Sequence, residues 1–268
     1  MKKQILLFLL VSTAILLSCE NNDNDSGDPA SEKKLLLSKI TTTYYDNPNN
    51  PETTISTLNY NDKGELMSSE SEGRFSTLEY DAQGKPTKTN YYKPDKTLDY
   101  YSVYSYQGDK LMNIKAIYDN PNFNRSISFS YDSNGKVIKS SFCQSENCSN
   151  PDTDSYTYNG DNISVETNQL NGTINYTSKI ESSYDDKLNP YTNINKYLRI
   201  MMGGAYVISR NNYTSQKMSY KKSDGNWTQN QTINYTIQYN DSNLPTKVIG
   251  KGANGNNYVE YNYEYITK

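Results

Sequence analysis

The sequence contains no histidine among its 268 residues. This absence excludes Ser-His-Asp and Cys-His catalysis, histidine general bases and metal sites that depend on imidazole ligands. Cysteine is also scarce, with three in the whole chain, and tryptophan occurs once. We therefore expect no cofactor, no metal site and no catalytic residue outside the carboxylates.

Long aliphatic side chains are few as well. From Cys19 onward, Leu, Ile, Val and Phe make up 38 of 250 residues, a proportion of about 15% that by itself suggests disorder. The 27 tyrosines argue against disorder, because tyrosine favours strands and buries a large ring while its hydroxyl stays in contact with water. We expect one folded, tyrosine-rich β domain over residues 35–268.

The chain also lacks an excess of positive charge. Without Lys2 and Lys3, which belong to an N-terminal signal, 25 basic residues face 30 acidic ones, a net charge of −5. This balance argues against a nucleic-acid partner. The segment from Gly250 to Gly255 has the letters of a dinucleotide-binding motif, but a strand pattern follows it, whereas that motif requires a helix N-terminus at the phosphates. We predict a hairpin loop there and no nucleotide partner.

One short pattern recurs along most of the chain and predicts its architecture. Ile127, Phe129 and Tyr131 share one face of a strand, the residues from Asp132 to Gly135 can form a type I turn with a glycine bulge or a type I′ turn, and a second strand follows. A tyrosine, turn residues and an apolar restart recur at residues 60–66, 80–86, 106–111, 158–163 and 239–244. Single hairpins are marginal in water, so the repeats predict an all-β fold, a long antiparallel meander that forms a barrel-like or strongly curved sheet.

The N-terminus has the organisation of an export signal. Lys2 and Lys3 precede an apolar run that is too short for a membrane span, and we assign residues 1–18 to a lipoprotein signal peptide. The ending Leu16-Leu17-Ser18-Cys19 resembles a bacterial lipobox, which implies that Cys19 is lipidated and anchors the protein to a membrane. An ordinary signal peptide or a single membrane span is the alternative. Residues 19–34 are polar and acidic, and we predict a disordered tether.

The two remaining cysteines, Cys143 and Cys148, lie in a polar loop. In an exported protein such a pair predicts a local disulfide. A zinc site would need two further ligands, so we assign no metal.

The repeated Tyr-Asp-x-x-Gly-Lys element resembles the tyrosine-aspartate repeats of Rhs-type proteins. It is more closely similar to uncharacterised Bacteroidota lipoproteins with a porin-like β fold, and the segments 184–191 and 209–213 resemble a paired signature of those lipoproteins. The resemblance covers most of the mature chain and implies a fold and an outer-membrane location, but no activity. In such lipoproteins an acidic cluster after the lipidated cysteine resembles a surface-export signal, which favours the cell surface over the periplasmic face, although a solvated spacer explains the same residues.

One segment departs from the strand pattern. Between Ile194 and Met201 the apolar residues recur with helical spacing, Thr192 or Asn193 can cap the start, and Gly203-Gly204 can end the helix. We predict one short helix near residues 193–202 that plugs an open end of the β layer. A lid over a binding site is the alternative.

Candidate ligand-binding residues lie around this segment, namely Asp185, Asp186, Tyr191 and Tyr197. Adjacent residues at a strand end point to opposite sides, so Asp185 and Asp186 are not assigned a catalytic role. Tyrosines with Asn and Asp are typical of glycan-binding and protein-binding surfaces. We interpret the chain as a non-enzymatic, lipid-anchored envelope protein that binds a glycan, peptide or protein, or serves as a scaffold. The alternative is a carbohydrate-active hydrolase that uses carboxylates near Asp185 and Asp186.

The alternation within the strands also bears on membrane insertion. A membrane-spanning barrel needs an apolar outward face, whereas segments such as 126–131 and 153–158 place Ser, Thr or Asp between the aromatic residues. We expect a water-soluble domain.

Overall fold

A computed structural model describes residues 34–145, 148–171, 175–222 and 225–268. The predicted signal peptide at 1–18, the predicted lipidation site Cys19 and the predicted tether, apart from Lys34, lie outside the described residues. Within the described ranges, no helix is long and apolar enough to cross a membrane.

The described residues form sixteen β-strands, two short α-helices and one 3-10 turn at Pro121–Phe123. The strands are β1 Leu35–Tyr44, β2 Glu52–Tyr60, β3 Leu66–Ser71, β4 Arg74–Tyr80, β5 Pro86–Tyr92, β6 Leu98–Gln107, β7 Lys110–Tyr118, β8 Arg125–Tyr131, β9 Val137–Cys143, β10 Asp152–Asn159, β11 Asn162–Asn171, β12 Asn175–Leu188, β13 Asn211–Lys222, β14 Thr228–Tyr239, β15 Pro245–Gly252 and β16 Asn257–Thr267. The helices are α1 Lys196–Met202 and α2 Gly204–Ile208.

Every strand pairs antiparallel with its neighbours in sequence, and β1 pairs with β16 to close a barrel. The closing register runs from Leu35 opposite Thr267 to Tyr44 opposite Val259. The predicted all-β meander is therefore confirmed, and of the two predicted shapes the closed barrel is the one present. Closure leaves no unpaired strand edge among the described strands.

The repeated turns all lie at one end of the barrel, because they connect each even-numbered strand to the next odd-numbered one. In the hairpin after Tyr131, the Asp132 carboxylate accepts from the backbone N–H groups of Asn134 and Lys136 at 2.9 and 2.8 Å, and Gly135 has a φ of 80°. This is the type I turn with a glycine bulge, which requires a left-handed residue at that position. The two-residue turns at Gly108 and Gly160 have positive φ at their first central residue, as in type II′ turns.

A repeated register irregularity accompanies these turns: in each even-numbered strand from β2 to β14 the ladder shifts immediately before a tyrosine near the end of the strand. Each such tyrosine points inward. In seven of the eight even-numbered strands its hydroxyl donates to a backbone carbonyl of the preceding strand, at 2.6 to 2.9 Å. These donors are Tyr60, Tyr80, Tyr106, Tyr131, Tyr158, Tyr184 and Tyr265. The repeat therefore links seven strand pairs by the same hydrogen bond near the plugged end of the barrel.

The segment between β12 and β13, residues 189–210, fills the mouth of the barrel at this end, and we call it the plug. Leu198 is fully buried and packs with Leu58, Leu78 and Val248 from opposite parts of the wall, while Tyr197 and Ala205 pack against strands β6 to β11. The predicted role of this segment as a plug fits these contacts. We call this end of the barrel the plugged end and the opposite end the far end.

The helix prediction needs two corrections. The plug contains a second helix, α2, because Gly203 adopts a φ of 70° and allows the chain to restart as a helix after α1. The first helix begins at Lys196, and its cap is Asn195 instead of Thr192 or Asn193, since the Asn195 side chain accepts from the Tyr197 N–H at 3.0 Å. The Asn195 amide also donates to the carbonyl of Gly84, which ties the helix to a neighbouring turn.

The interior and the outer wall differ in chemistry. Next to the plug the inward side chains are aliphatic and aromatic, and further along the barrel they include buried hydroxyls such as Ser76, Thr89 and Ser102. The outer wall carries charged pairs between strands, including Lys39–Glu264 at 2.8 Å and Lys247–Glu260 at 2.7 Å. The interior next to the plug is therefore apolar, whereas the outer wall carries paired charges.

Candidate functional site

The structure places Asp185 and Asp186 on different sides of the strand end. The Asp185 carboxylate accepts from the backbone N–H groups of Lys187 and Asn212 at 3.0 and 3.1 Å, and from the hydroxyl of Tyr239. Asp186 is exposed on the outside, with Lys187 Nζ at 3.9 Å. Asp185 therefore holds the base of the plug, and the two carboxylates do not share a cavity.

The two predicted binding tyrosines are packed into the structure as well. The hydroxyl of Tyr197 donates to the carboxylate of Asp109, and its ring meets Tyr106 edge to face at 5.0 Å. Tyr191 packs against the Tyr206 ring at 5.9 Å. Burial raises the pKa of both Tyr191 and Tyr197 above the ordinary range, so their hydroxyls stay protonated. These contacts account for both rings as structural elements of the plug.

A cleft does lie beside the predicted helix, but it is built from other residues. It has a volume of about 470 Å³ and opens where α1 and the end of the plug meet the turns after β8 and β10. We call it the plug-end cleft. Its lining combines an apolar floor with a charged rim: Val137, Tyr158, Leu188, Ile200 and Ile208 form the floor, and Lys136, Asp161, Lys196, Arg199 and Arg210 form the rim.

The rim carries four cationic side chains and one carboxylate. Lys136 Nζ lies 3.1 Å from Asp161 and Arg210 Nη1 lies 3.7 Å from the same residue. Lys196 pairs with Asp109, which lies outside the lining, and this contact together with the Tyr197 hydroxyl lowers the pKa of Asp109. Two carboxylates, those of Asp161 and Asp109, thus face four cationic side chains, and the cleft has a net positive charge.

Arg199 differs from the other three cations because it has no carboxylate partner among the described residues, and its side chain is partly buried. Its Nε donates to the carbonyl of Val207 at 2.8 Å, and its Nη2 donates to the carbonyls of Ile208 and Ser209 at 2.8 and 2.7 Å. Nη1 has no hydrogen-bond partner in the described ranges. Burial lowers the pKa of Arg199, because desolvation disfavours the charged form. An anion in the cleft would offset this desolvation.

Sequence reasoning identified the segment but not these residues. The helical stripe directs attention to the apolar positions, whereas Lys196 and Arg199 lie outside that stripe. A usable signal was present, because Lys136 directly follows the turn glycine and Arg210 belongs to the segment 209–213. The lysine after the turn projects along the plugged end, where the plug brings further cations beside it.

The predicted disulfide between Cys143 and Cys148 is present, with a Cα–Cα distance of 5.4 Å. It lies in the connection between β9 and β10 at the far end, away from the plug-end cleft. Among the described residues, no group of three or more Cys, Asp or Glu side chains could hold a metal ion.

The comparisons with other proteins concern the fold. No known family profile matches the sequence, and no curated protein matches it. A porin-like protein from Bacteroides uniformis is similar in structure, with a TM-score of 0.55 and 14% sequence identity, over 86% of this chain and 96% of that chain. A porin-like protein from Bacteroides vulgatus has a TM-score of 0.44 and 9% identity, over 87% of this chain and 99% of that chain. The first similarity shows that this chain has the all-β fold of a porin-like protein from Bacteroides.

Proposed function

We propose that the protein is a non-enzymatic, lipid-anchored protein of the bacterial outer membrane that binds an acidic saccharide in its plug-end cleft. The observation that carries the binding proposal is Arg199, a partly buried cation without a carboxylate partner among the described residues, which lines a cleft with more cationic than anionic side chains. A carboxylated, sulfated or phosphorylated sugar would pair with this charge.

The floor of the cleft favours a sugar over a simple anion. Ile200, Ile208 and Val137 offer apolar surface, and the Tyr158 ring lies beneath Lys136 Nζ at 5.1 Å. A sugar presents C–H groups to such a surface and its anionic group to the rim. The volume of about 470 Å³ has room for roughly fifteen water-sized groups, which fits one acidic sugar and part of a neighbour.

The same cleft is unsuited to glycoside hydrolysis. Such enzymes need two carboxylates that flank the scissile bond, and Asp161 is the single carboxylate among the described lining residues. It is already paired with Lys136 and Arg210. The alternative hydrolase at Asp185 and Asp186 has no shared cavity to act in, so we favour binding without turnover.

A glycan array tests the ligand class. We expect glycans with uronate, sulfate or phosphate groups to bind and their neutral parents not to bind, with affinity that falls as salt increases. Lys196→Ala combined with Arg210→Ala should weaken binding by at least about tenfold. Lys39→Ala, which removes a lysine from the outer wall, is the matched control and should bind like the wild type.

Four results would contradict the proposal. Equal binding of neutral and acidic glycans, or unchanged binding by the double variant, would show that the cationic rim is not the site. Preferential binding of acidic peptides would replace the saccharide with a protein partner. Release of new reducing ends from a bound glycan would establish an enzyme.

The envelope location is tested separately from the ligand. Support comes from the lipobox-like ending at Cys19, from the porin-like fold, and from the charged pairs of the outer wall, which favour attachment through a lipid over insertion of the wall. We expect palmitate labelling at Cys19, loss of labelling in Cys19→Ser, and cleavage of the protein on intact cells by added protease. Absence of lipid on Cys19 would refute the anchor, and complete protection on intact cells would place the protein on the periplasmic face.

A further inference from the structure

A second cavity lies inside the barrel on the inner side of the plug, and we call it the inner chamber. It has a volume of about 250 Å³ and none of its described lining residues is cationic. The polar members of the lining are Glu166, Asn212 and Gln216, and the others are Gly204, tyrosines and aliphatic residues that include Ile180. The inner chamber shares no residue with the plug-end cleft.

Glu166 places a carboxylate in this chamber without a cation beside it. Its side chain is buried, with 8% of the residue exposed, and it accepts from the Ala205 N–H at 2.9 Å and the Asn168 amide at 3.2 Å. Among the described residues it forms no ion pair. Burial raises the pKa of Glu166, so this carboxylate lacks the compensation that buried charges normally have.

Another residue of the lining, Asn212, has an acceptor atom without a hydrogen-bond partner. Asn212 is fully buried, and its amide nitrogen donates to the carbonyls of Lys187 and Leu188 at 3.2 and 3.0 Å. Its Oδ1 has no hydrogen-bond partner. Buried acceptors are rarely left without a donor, so a ligand N–H or O–H that reaches Asn212 would complete its hydrogen bonding.

The remaining walls are aromatic and aliphatic. The Tyr206 and Tyr213 rings lie 4.8 Å apart and the Tyr213 and Tyr235 rings 6.1 Å apart, measured between centroids. Negative charge extends further along the wall, because the Asn168 amide that contacts Glu166 also donates to Asp154 at 2.8 Å. Tyrosine faces and carboxylates both attract cations.

The chamber borders a larger space toward the far end. Tyr261 lines both the inner chamber and a cavity of about 540 Å³ that is rich in hydroxyls, including Thr42, Ser56 and Ser71. Tyr261 therefore contacts both spaces, and the inner chamber and the larger cavity lie next to each other.

We propose that the inner chamber binds a small primary alkylammonium ion. The ammonium N–H groups donate to the Glu166 carboxylate and to Asn212 Oδ1, and the alkyl chain packs on Tyr213, Tyr235 and Val248. An ammonium ion is favoured over a neutral alcohol or sugar, because a cation offsets the charge of a buried carboxylate that has no ion-pair partner among the described residues. The volume of about 250 Å³ has room for roughly eight water-sized groups, which limits the ligand to a short chain.

Calorimetric titration of the purified protein with n-butylammonium and with 1-butanol tests the proposal. We expect saturable one-to-one binding of n-butylammonium with a Kd of about 1 mM or tighter and no binding of 1-butanol. Glu166→Gln keeps the shape of the side chain and should weaken n-butylammonium binding at least about tenfold. Glu181→Gln, which changes an outer-wall carboxylate on the adjacent strand, should bind like the wild type.

A variant that fills the chamber tests the location independently of Glu166. Ile180→Phe should reduce n-butylammonium binding while far-ultraviolet circular dichroism confirms that the barrel is folded. The assignment is overturned if 1-butanol binds as well as n-butylammonium, if Glu166→Gln binds unchanged, or if no saturable binding occurs at about 10 mM n-butylammonium. The glycan array reports on the plug-end cleft, so neither result decides the other.

Discussion

The hydroxyl bonds of the inward tyrosines allow a quantitative prediction for the substitution Tyr131→Phe. The Tyr131 hydroxyl donates to the carbonyl of Leu111 at 2.6 Å, and Leu111 is fully buried. Burial raises the pKa of Tyr131 to about 12, so the hydroxyl remains a donor at any pH in ordinary use. Phenylalanine keeps the ring in place and removes only this hydrogen bond.

The expected cost follows from that geometry. A typical hydrogen bond contributes about 1 kcal/mol, and a buried acceptor left without its donor adds part of its desolvation penalty. We therefore expect Tyr131→Phe to lower the free energy of unfolding by about 1–2 kcal/mol, which corresponds to a decrease in Tm of roughly 3–6 °C for a domain of this size. Urea unfolding followed by circular dichroism measures the change, and the m-value should stay constant.

Two further variants separate the hydrogen bond from the loss of a tyrosine in general. Tyr101 lies on the outer wall with Lys88 Nζ 4.8 Å from its ring centroid, and its hydroxyl has no hydrogen bond within the described ranges, so Tyr101→Phe should change stability by less than about 0.5 kcal/mol. Tyr239 donates to the Asp185 carboxylate, and Tyr239→Phe should cost more, about 1.5–3 kcal/mol, because the acceptor is charged. If Tyr131→Phe is no less stable than Tyr101→Phe, the hydrogen bonds from the inward tyrosines do not stabilise the strand pairs.

Other residues give predictions of the same kind. A Cβ at Gly250 would lie 2.8 Å from Tyr235 Cε1, so Gly250→Ala should cost about 1–3 kcal/mol in urea unfolding, and an unchanged midpoint would show that the ring moves freely. The raised pKa of Glu166 means that the folded protein binds this proton more tightly than the unfolded chain. The contribution of this proton to the free energy of unfolding is complete below about pH 4.5 and is lost as pH rises through the folded pKa. Glu166→Gln should therefore lose less stability than the wild type as pH rises. Parallel curves of stability against pH for the two proteins would refute this linkage. The Cys143–Cys148 disulfide closes a short loop, so a Cys143→Ser and Cys148→Ser double variant should lose roughly 2 kcal/mol, and two free thiols in the unreduced wild type would show that the bridge does not form.

The sequence by itself determined the local elements of this protein. The turns follow from Asp, Asn and Gly at fixed offsets, because left-handed backbone at the bulge position is tolerated by glycine and, at Asn243, by asparagine. The period-2 alternation placed Ile127, Phe129 and Tyr131 on one face, and the repetition of that pattern predicted an antiparallel meander. Each of these signals spans only a few residues and requires no knowledge of distant ones.

Other features were decided by tertiary structure, and the register shifts show why. From Ile163, simple alternation would place Val165 inward and Glu166 outward, but Ile163 pairs with Tyr158 and Val165 with Thr157, so Ser164 is an extra residue. One extra residue exchanges the two faces of the strand beyond it. Glu166 therefore points into the barrel, which alternation alone does not reveal.

The cleft, the inner chamber and the tyrosine bonds depend on contacts between residues far apart in the chain. Asn193 of the plug donates to the carbonyl of Leu35, 158 residues away. The carbonyl to which each inward tyrosine donates likewise depends on which strands pair. The helical period around Tyr197 predicted a plug, because an apolar stripe must be covered. It did not specify which turns Lys196 and Arg199 would meet, since that depends on closure of the barrel between β1 and β16, which fixes the position of every turn around the mouth that the plug fills.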